Sequence, residues 1–480
     1  MSFLGAQNSI ALGVQGIIAI DTGTGAPAVI TDPYWANVSM LLHGDGANAA
    51  QNNTFLDGST NNFTVTRNGN TTQGSFNPFV PTYPYAVATN GGSGYFDGTG
   101  DYLTVADNAA FTLGTNDFTI ECWINFSSLA SQPIFAGQSD AAGAQYSFYL
   151  SVTSTGQFNS AIRDAGTGIP YSVSSAVGAI LVNTWYHVAF VRNGNTVRQY
   201  INGVQTGTVS VTGITVYNSV DVLGVGRFGA YAFNLVTGYI SNFRLVNGTC
   251  LYPSGTTFTP PTAPLTAVTN TALLLGMSNA AIFDNAELNN LETVADAQIS
   301  TSVFKYGTGS LKFDGTGDYL NTSPANQAAF AFGSGDFTIE MWVYAATTGT
   351  AKGLYDSRPS GTNGAYAFIY LDSSNVISYL INSGGGTITG TALSVSTWYH
   401  VAVARSGTST KLFLNGVQVG STLTDSNTYL NAGTSRPFIG ANASSLGSYF
   451  NGYIDDLRVT KGIARYTTTF TPPTAAFPNS

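Results

Sequence analysis

The chain has 480 residues, of which 43% are hydrophobic and 9% are charged, and its formal net charge at pH 7 is −9. The hydrophobic fraction argues against a disordered chain. The 16 Lys and Arg residues are spread along the sequence and form no basic cluster of the kind that binds nucleic acid. With 55 Gly, 29 Phe and 26 Tyr residues, the composition is poor in helix formers and predicts an all-β protein.

Residues 1–32 match no other part of the chain. They are small, apolar and uncharged up to Asp21, and they lack the cationic start and the cleavage site of a secretory signal. No stretch of about 18 consecutive apolar residues occurs, so we expect no membrane span. We predict an N-terminal arm that docks on a partner protein, because a terminus is usually ordered only where something holds it. The alternative is an ordered tail that lies on the first domain.

The remainder of the chain is a tandem repeat. FDGTGDYL occurs at residues 96–103 and returns unchanged at residues 313–320, and DFTIExW, TWYHVA, NGVQ and TFTPPTA each occur twice in the same order. The separation between copies is nearly constant, which indicates one duplicated domain. We therefore predict domains at residues 33–264 and 265–480, joined by the proline-rich segment TPPTAPL, which holds the chain extended.

Each repeat contains short segments rich in β-branched and aromatic residues, separated by Gly, Asn, Asp or Ser, which is the pattern of strands and turns. In DFTIECWINF the apolar residues alternate with Thr119, Glu121, Trp123 and Asn125. This alternation predicts a strand with one face in the core and the other on a half-open surface.

Two further signals concern turns and a possible helix. Asn202-Gly203 and Asn415-Gly416 predict hairpin turns at equivalent places of the two repeats. FDGTGDYL joins two predicted strands and opens no helix, so it indicates a tight turn and not a phosphate-binding loop. The pattern of residues 286–294 is equally compatible with a helix and with a non-helical segment. Regularly spaced strands without long helices predict two antiparallel sandwiches.

These ordered blocks, together with LLHGDG and GYIDDLRVTKGIARY, resemble the laminin G-like, concanavalin A-like jelly roll over about residues 33–478. The resemblance is to the form found in structural and fibre proteins of tailed bacteriophages. It implies two jelly-roll β-sandwiches whose rim loops often bind carbohydrate and, in many members, a calcium ion. The same fold serves lectins, adhesion modules, glycosidases and packing domains, so it does not fix the function.

Glycan-cleaving relatives carry paired carboxylates on one strand, because cleavage needs a proton donor and a second carboxylate at a fixed separation. Each repeat here has one carboxylate on that strand, Glu121 or Glu340, and we expect both to be structural partners at the rim or in turns. His187 and His400 have no Ser, Cys or Asp at a motif spacing, so we expect each to hydrogen-bond a neighbouring loop. We therefore predict that the protein is not an enzyme.

The resemblance also implies a calcium site, because an early loop and the last strand meet at the sandwich edge in calcium-binding members. The candidate ligands are Asp284, Asn289, Asp455 and Asp456 in the second repeat, and Asp57 and Asn61 in the first. The first repeat has Ser241 and Asn242 in place of the two last-strand aspartates, so we expect calcium in the second repeat. The alternative is that these side chains cap turns.

Sugar binding would need exposed aromatic rings, and Tyr231, Tyr366 and Tyr449 lie in loops of suitable composition. The alternative is that these rings belong to the core. Cys122 and Cys250 correspond to Met341 and Ala464 in the other repeat, so we predict two free thiols and no disulfide.

These observations predict a bacteriophage virion surface protein, either a tail fibre, a knob or a head (capsid) decoration. Residues 1–32 would contact other virion proteins, and the jelly rolls would bind host-surface glycans. A homo-oligomer or many copies on the virion would convert weak single-site affinity into firm attachment. The alternatives are a polysaccharide-degrading enzyme on the same fold and a purely structural cement protein of the capsid or tail.

Overall fold

The computed structural model describes residues 31–231, 233–253, 255–324, 327–359, 364–381, 385–430 and 436–480. Within these ranges the chain is almost entirely strand and loop, with one α-helix, Val87–Asn90, and 3-10 helices at Trp35–Asn37, Ala109–Phe111 and Gln327–Phe330. The predicted all-β class is confirmed. The predicted N-terminal arm, residues 1–32, lies outside the described residues apart from Thr31 and Asp32. None of the described helices has the length and apolarity needed to span a membrane.

Thirty strands follow one another along the described chain. Those of the first half are β1 (Val38–Leu42), β2 (Thr66–Asn68), β3 (Thr72–Gly74), β4 (Ser93–Asp97), β5 (Tyr102–Val105), β6 (Phe118–Ser128), β7 (Ile134–Ser139), β8 (Tyr146–Val152), β9 (Phe158–Arg163), β10 (Pro170–Ser174), β11 (Tyr186–Asn193), β12 (Thr196–Ile201), β13 (Val204–Ser210), β14 (Leu223–Val225) and β15 (Thr237–Asn247). Those of the second half are β16 (Thr271–Leu275), β17 (Asn289–Val294), β18 (Gln298–Ser300), β19 (Ser310–Asp314), β20 (Tyr319–Pro324), β21 (Phe337–Ala345), β22 (Lys352–Asp356), β23 (Ala367–Leu371), β24 (Val376–Ile381), β25 (Gly386–Ala392), β26 (Trp398–Ser406), β27 (Ser409–Leu414), β28 (Val417–Thr424), β29 (Phe438–Ile439) and β30 (Asn451–Lys461).

The strands form two sandwiches, which we call the first and the second roll. In the first roll one sheet has the order β13-β12-β11-β6-β15-β4-β3, with β16 beside β15, and the other has the order β10-β9-β8-β7-β14-β5-β2. The second roll repeats this plan with β18-β19-β30-β21-β26-β27-β28, with β1 beside β30, and β17-β20-β29-β22-β23-β24-β25. All strand pairs are antiparallel, as in the predicted jelly rolls.

The core of each roll lies between its two sheets. On β6 the residues Phe118, Ile120, Cys122 and Ile124 are each 0% exposed and belong to one cluster, so the predicted alternation is confirmed for this face. Cys122 is a buried free thiol, and Cys250 is a partly buried free thiol.

The first strands of the two repeats are exchanged between the rolls. β1 begins the first repeat but pairs with β30, where Leu41 faces Arg458. β16 begins the second repeat but pairs with β15, where Leu274 faces Arg244. Arg244 and Arg458 are equivalent residues of the two repeats, so the exchange is symmetric. The predicted boundaries at residues 33–264 and 265–480 follow the sequence repeat, whereas each roll is completed by a strand of the other repeat.

Asp32 and the last residues of the chain meet on the second roll. The backbone N–H of Asp32 donates to the carbonyl of Ser480 at 2.5 Å. Phe477 packs in a small cluster with Val38, Leu41 and Ala286. The strand that completes the second roll is therefore covered by the last residues of the chain.

Of the two alternatives left open for residues 286–294, the structure shows the non-helical one, because these residues contain strand β17. Glu287 has a φ of 58°, a left-handed conformation that a right-handed helix cannot contain. β17 pairs with β20 and lies against β3 of the first roll, where the Thr72 hydroxyl donates to the Leu291 carbonyl at 2.8 Å. Tertiary pairing thus decides the conformation of this segment.

Candidate functional site

The central strand of the first roll carries a fully buried carboxylate. Oε1 of Glu121 accepts hydrogen bonds from Nε and Nη2 of Arg244 at 2.9 and 2.5 Å. Oε2 lies 3.0 Å from Nε2 of His187 and accepts from the hydroxyl of Tyr252 at 2.7 Å. The side chain of Glu121 is 0% exposed, so all of its contacts are with the protein.

Glu340 occupies the same position in the second roll. It accepts from Nε and Nη2 of Arg458 at 3.0 and 2.8 Å and from the hydroxyl of Tyr466 at 2.7 Å. Asp32 extends the network, because its Oδ2 lies 2.8 Å from Nη1 of Arg458 and 2.7 Å from Nη2 of Arg465. A residue that precedes the first repeat thus stabilises the end of the second.

Both glutamates are held in the ionised form. Burial alone would raise the pKa of Glu121, but the hydrogen bond and charge of His187 and the charge of Arg244 outweigh it and lower the pKa below its usual value. The pKa of Glu340 is lowered in the same way, against burial, by Arg458 and His400. A carboxylate that stays ionised at neutral pH cannot act as the proton donor of a glycosidase.

A strap covers this face in each roll. We use this name for residues 248–253 and 255–265, which follow β15, and residues 462–475, which follow β30. In the first strap the rings of Tyr252 and Phe258 stack at 3.7 Å, and Phe258 lies edge-on to His187 at 5.8 Å. In the second strap Tyr466 and Phe470 stack at 3.6 Å.

Two expectations are corrected by this arrangement. The face with Glu121 is not half-open, because the strap covers it. Glu121 and Glu340 are not partners at the rim or in turns; they are the centres of buried ion-pair networks. The loop contact expected of His187 and His400 is made by their backbone N–H groups, which donate to Oδ1 of Asn202 and Asn415 in the hairpin turns, both at 2.9 Å. Their rings instead approach the strand carboxylates, at 3.0 Å from Glu121 and 3.3 Å from Glu340. Sequence reasoning missed the arginine and tyrosine partners, although each recurs in both repeats.

Two of the predicted calcium ligands hold the exchanged strands. Asp284 accepts the backbone N–H of Leu41 on β1 at 2.9 Å, and Asp57 accepts the backbone N–H of Leu274 on β16 at 3.0 Å. Each aspartate accepts further bonds: Asp284 from Ala286 and Asp57 from Ser59. Burial raises the pKa of Asp284 to about 6.

The other predicted ligands are hydrogen-bonded too. Asp455 accepts three backbone N–H groups, two of them from Lys305 and Tyr306 at 2.7 and 3.0 Å. Asp456 contacts the ring of His43 and accepts the N–H of Phe477. The amide nitrogens of Asn61 and Asn289 donate to Ala272 and to Asp284 and Ser39, respectively.

The fit of these residues to calcium is poor. Calcium needs six to eight oxygen ligands. An N–H group that donates to a carboxylate oxygen occupies one of its lone pairs and points the positive end of its dipole toward the place where the cation would lie. In the described part of the chain no three His, Cys, Asp or Glu side chains are grouped as for a metal. Calcium binding stays an untested prediction.

The three predicted sugar-contacting tyrosines differ in exposure. Tyr366 is 4% exposed, so its ring offers no stacking face to a ligand. Tyr231 is partly exposed beside Phe228 and Phe233, and Phe233 is 57% exposed. Tyr449 packs partly buried against Phe438. Tyr231 and Tyr449 stay candidates for ligand contact.

Comparisons with known proteins agree with the fold. A family model described as the concanavalin A-like lectin/glucanases superfamily matches residues 97–251 and 314–463. No curated protein matches the chain.

Several solved structures are similar at low identity. Domains LG4-5 of the mouse laminin alpha1 chain are 15% identical, with 80% of this chain and 91% of that chain covered and a TM-score of 0.28. The CBM40 domain of the Ruminococcus gnavus IT-sialidase, bound to alpha2,6 sialyllactose, is 17% identical, with 28% and 81% covered and a TM-score of 0.25. The binding domain of botulinum neurotoxin serotype G is 10% identical, with 90% and 100% covered and a TM-score of 0.33.

Proposed function

Because the chain belongs to the concanavalin A-like lectin/glucanases superfamily, we propose that it is a non-enzymatic protein whose two jelly rolls bind surface glycans. The superfamily includes both sugar-binding and sugar-cleaving proteins, so the choice between these functions depends on the site. The observation that carries the proposal is the state of Glu121 and Glu340. Each is buried, ionised and covered by a strap.

Glycoside cleavage requires two carboxyl groups that face the substrate, separated by about 5 to 9.5 Å. Neither Glu121 nor Glu340 is exposed, and both oxygens of each contact protein side chains. A substrate would have to displace the strap and break the ion pairs before it reached either group. This arrangement supports binding without cleavage.

The test is to incubate the pure protein with host capsular polysaccharide and to measure, in one sample, cosedimentation and new reducing ends. We expect cosedimentation without an increase in reducing ends. Reducing ends that increase with time in the presence of the native chain would overturn the proposal. Cosedimentation with neither polysaccharide nor host cells would instead support a structural cement.

We also propose that the protein is displayed on a bacteriophage virion, in many copies, with residues 1–32 attached to other virion proteins. The support is the resemblance of the repeat blocks to structural proteins of tailed phages. In addition, Asp32 lies beside Ser480 on the second roll, so an arm that precedes Asp32 would leave from that roll. The first roll would then project away from the particle.

Particles assembled with a chain that lacks residues 1–30 test this attachment. We expect that the truncated chain folds but is absent from purified particles, whereas a chain with a C-terminal peptide tag is incorporated normally. Incorporation of the truncated chain at the native level would contradict the proposed role of the arm.

A further inference from the structure

A cavity of about 430 Å³ lies where the two repeats cross between the rolls. One wall follows β1 and the other follows β16, so the strand exchange brings together segments that are far apart in the sequence. The lining comes from residues 45–54 of the first repeat and residues 279–283 of the second.

The walls are held together by the protein itself. Asn52 is 0% exposed; its Oδ1 accepts the N–H groups of Ala281 and Ile282, both at 2.8 Å, and its Nδ2 donates to the Leu291 carbonyl at 2.7 Å. Nδ2 of Asn279 donates across the cavity wall to the Thr54 carbonyl at 2.9 Å. A site braced in this way loses little conformational entropy when a ligand binds.

The lining combines small apolar groups with oxygen acceptors. Alanine methyl groups and the ring of Phe283, which packs on Tyr85 at 4.8 Å, provide the apolar part. The Asn53 and Asn279 side-chain nitrogens already donate within the protein, to Gln51 Oε1 and to the Thr54 carbonyl. Among the described residues none donates to the two amide oxygens, so both can accept hydrogen bonds from a ligand.

We propose that this cavity binds one neutral sugar residue of a surface glycan. A sugar ring presents hydroxyl donors at its edge and C–H groups on its faces, which match amide oxygens beside alanine and phenylalanine. The inference rests on the proposed glycan-binding function and adds a location and a ligand class to it.

The charge of the lining excludes acidic sugars. Among the described lining residues Asp45 is the one charged side chain, and no Lys or Arg lines the cavity. A sialic acid carboxylate or a sulfate would lose water without gaining a cation partner and would lie near Asp45. The site therefore selects neutral over anionic glycans.

Saturation-transfer NMR and isothermal titration of the full chain test the inference. The neutral probes are maltotriose, laminaritriose and chitotriose, and the anionic probes are 3′-sialyllactose and a heparin hexasaccharide. We expect at least one neutral probe to bind and both anionic probes to bind at least tenfold more weakly.

Two variants locate the site. Ala280→Trp fills the cavity, and Asn53→Ala removes an acceptor without removing a bond between the two walls, so both should weaken binding of the neutral probe at least tenfold. Asn195→Ala, on an exposed turn of the first roll, is the matched control and should bind as the native chain does. Unchanged melting temperatures would show that the variants are folded.

The outcomes separate this inference from the proposed function. Native-level binding by both cavity variants would place the glycan elsewhere on the rolls, which overturns the inference and leaves the glycan-binding function standing. Tighter binding of an anionic probe than of every neutral one would overturn the charge argument. Failure to bind any glycan, including host polysaccharide, would overturn both.

Discussion

At the scale of single residues, Glu121 and Glu340 are structural, because each is the buried centre of an ion-pair network. A buried charge is tolerated only when a partner compensates it, and Glu121 has Arg244. Removing one charge leaves the other buried without a partner. The resulting loss of folding stability is larger than the net stability that the intact pair contributes.

Glu121→Gln should therefore lower the free energy of unfolding by about 3 to 5 kcal/mol, because it leaves the Arg244 guanidinium buried without a countercharge. Urea unfolding at pH 7 measures the loss. Glu340→Gln should act in the same direction, whereas Asp296→Asn, at an exposed side chain, should change the free energy by less than about 0.5 kcal/mol. A loss of less than 1 kcal/mol for Glu121→Gln would contradict the network described here.

The sequence allowed part of this site to be predicted. A single carboxylate on the strand of each repeat already argued against a catalytic pair. Its burial could not be predicted, because the strap tyrosine follows the glutamate by 252 − 121 = 131 residues in the first roll and 466 − 340 = 126 in the second, and the aromatic residues of the strap carry no periodic signal. The cavity was equally hidden, because Asp45 and Gly46 belong to the LLHGDG block but the facing segment at residues 279–283 contains no recognisable motif.

Several other carboxyl groups are buried with few cationic partners, which makes stability depend on pH. Burial raises the pKa of Glu287 to about 7, that of Asp284 to about 6 and that of Asp455 to about 7. The ordinary values are 4.5 for Glu and 3.8 for Asp, so the folded chain binds more protons than the unfolded chain between about pH 4 and pH 7.

The free energy of unfolding should therefore fall as pH rises through this window. We expect the melting temperature to be several degrees higher at pH 5 than at pH 8, measured by calorimetry at constant ionic strength. Below about pH 4 the lowered pKa values of Glu121 and Glu340 act in the opposite direction, so stability should also fall there. Glu287→Gln should reduce the difference between pH 5 and pH 8. A melting temperature that rises steadily from pH 5 to pH 8 would contradict these assignments.

At the scale of elements, each strap is held by the tip of a hairpin. The predicted turns have left-handed backbone at Asn202 and Gly203, with φ of 47° and 74°, and at their equivalents in the second repeat. The Phe258 N–H donates to the Gly203 carbonyl at 2.8 Å. A Cβ atom at Gly203 would lie 1.9 Å from the Phe258 carbonyl oxygen, so the hairpin and the strap meet in direct backbone contact.

Gly203→Ala should therefore displace the strap and lower the free energy of unfolding by about 2 to 4 kcal/mol. Gly194→Ala is a matched control, because Gly194 also has a positive φ but no atom lies within 4 Å of its Cβ position. We expect Gly194→Ala to lower the free energy of unfolding by about 1 kcal/mol. Thermal unfolding of both variants gives the comparison. Equal losses would show that backbone strain, and not the strap contact, sets the requirement for glycine.

The pattern of alternating residues predicted individual strands well, but it did not predict which sheet the first strand of each repeat joins. β1 and β16, VSMLL and TALLL, are each apolar at four of five positions and are buried on both faces. The pattern of either strand suits pairing with β15 as well as with β30, so the sequence pattern alone cannot distinguish their partners. The choice depends on the path of the connecting segments, which only the folded chain defines.

At the scale of the molecule, the exchange links the rolls into one unit. Removing β1 would expose the edge of β30 and part of the second core, although β1 belongs to the first repeat. The two rolls also contact directly: the Tyr239 hydroxyl donates to the Ser323 carbonyl at 2.6 Å, and Asn290 donates to the Ser93 carbonyl at 2.9 Å. The two repeats are thus distinct segments of the sequence, but neither roll is complete without a strand of the other repeat.

Disulfide trapping distinguishes exchanged from unexchanged pairing. Met40 lies opposite Val459 in the structure, whereas in an unexchanged roll it would lie opposite Leu245, the equivalent residue of the first repeat. Directly opposite residues of antiparallel strands are about 4.5 to 5.5 Å apart between Cα atoms, which suits a disulfide. With Cys250 replaced by Ser, Met40→Cys/Val459→Cys should form an intrachain bond, and Met40→Cys/Leu245→Cys should not. Mass spectrometry of unreduced peptides identifies the linked residues, and a bond to residue 245 would refute the exchange.

A bond between residues 40 and 459 of different chains, seen as a covalent dimer on an unreduced gel, would show that β1 is exchanged between molecules and not within one.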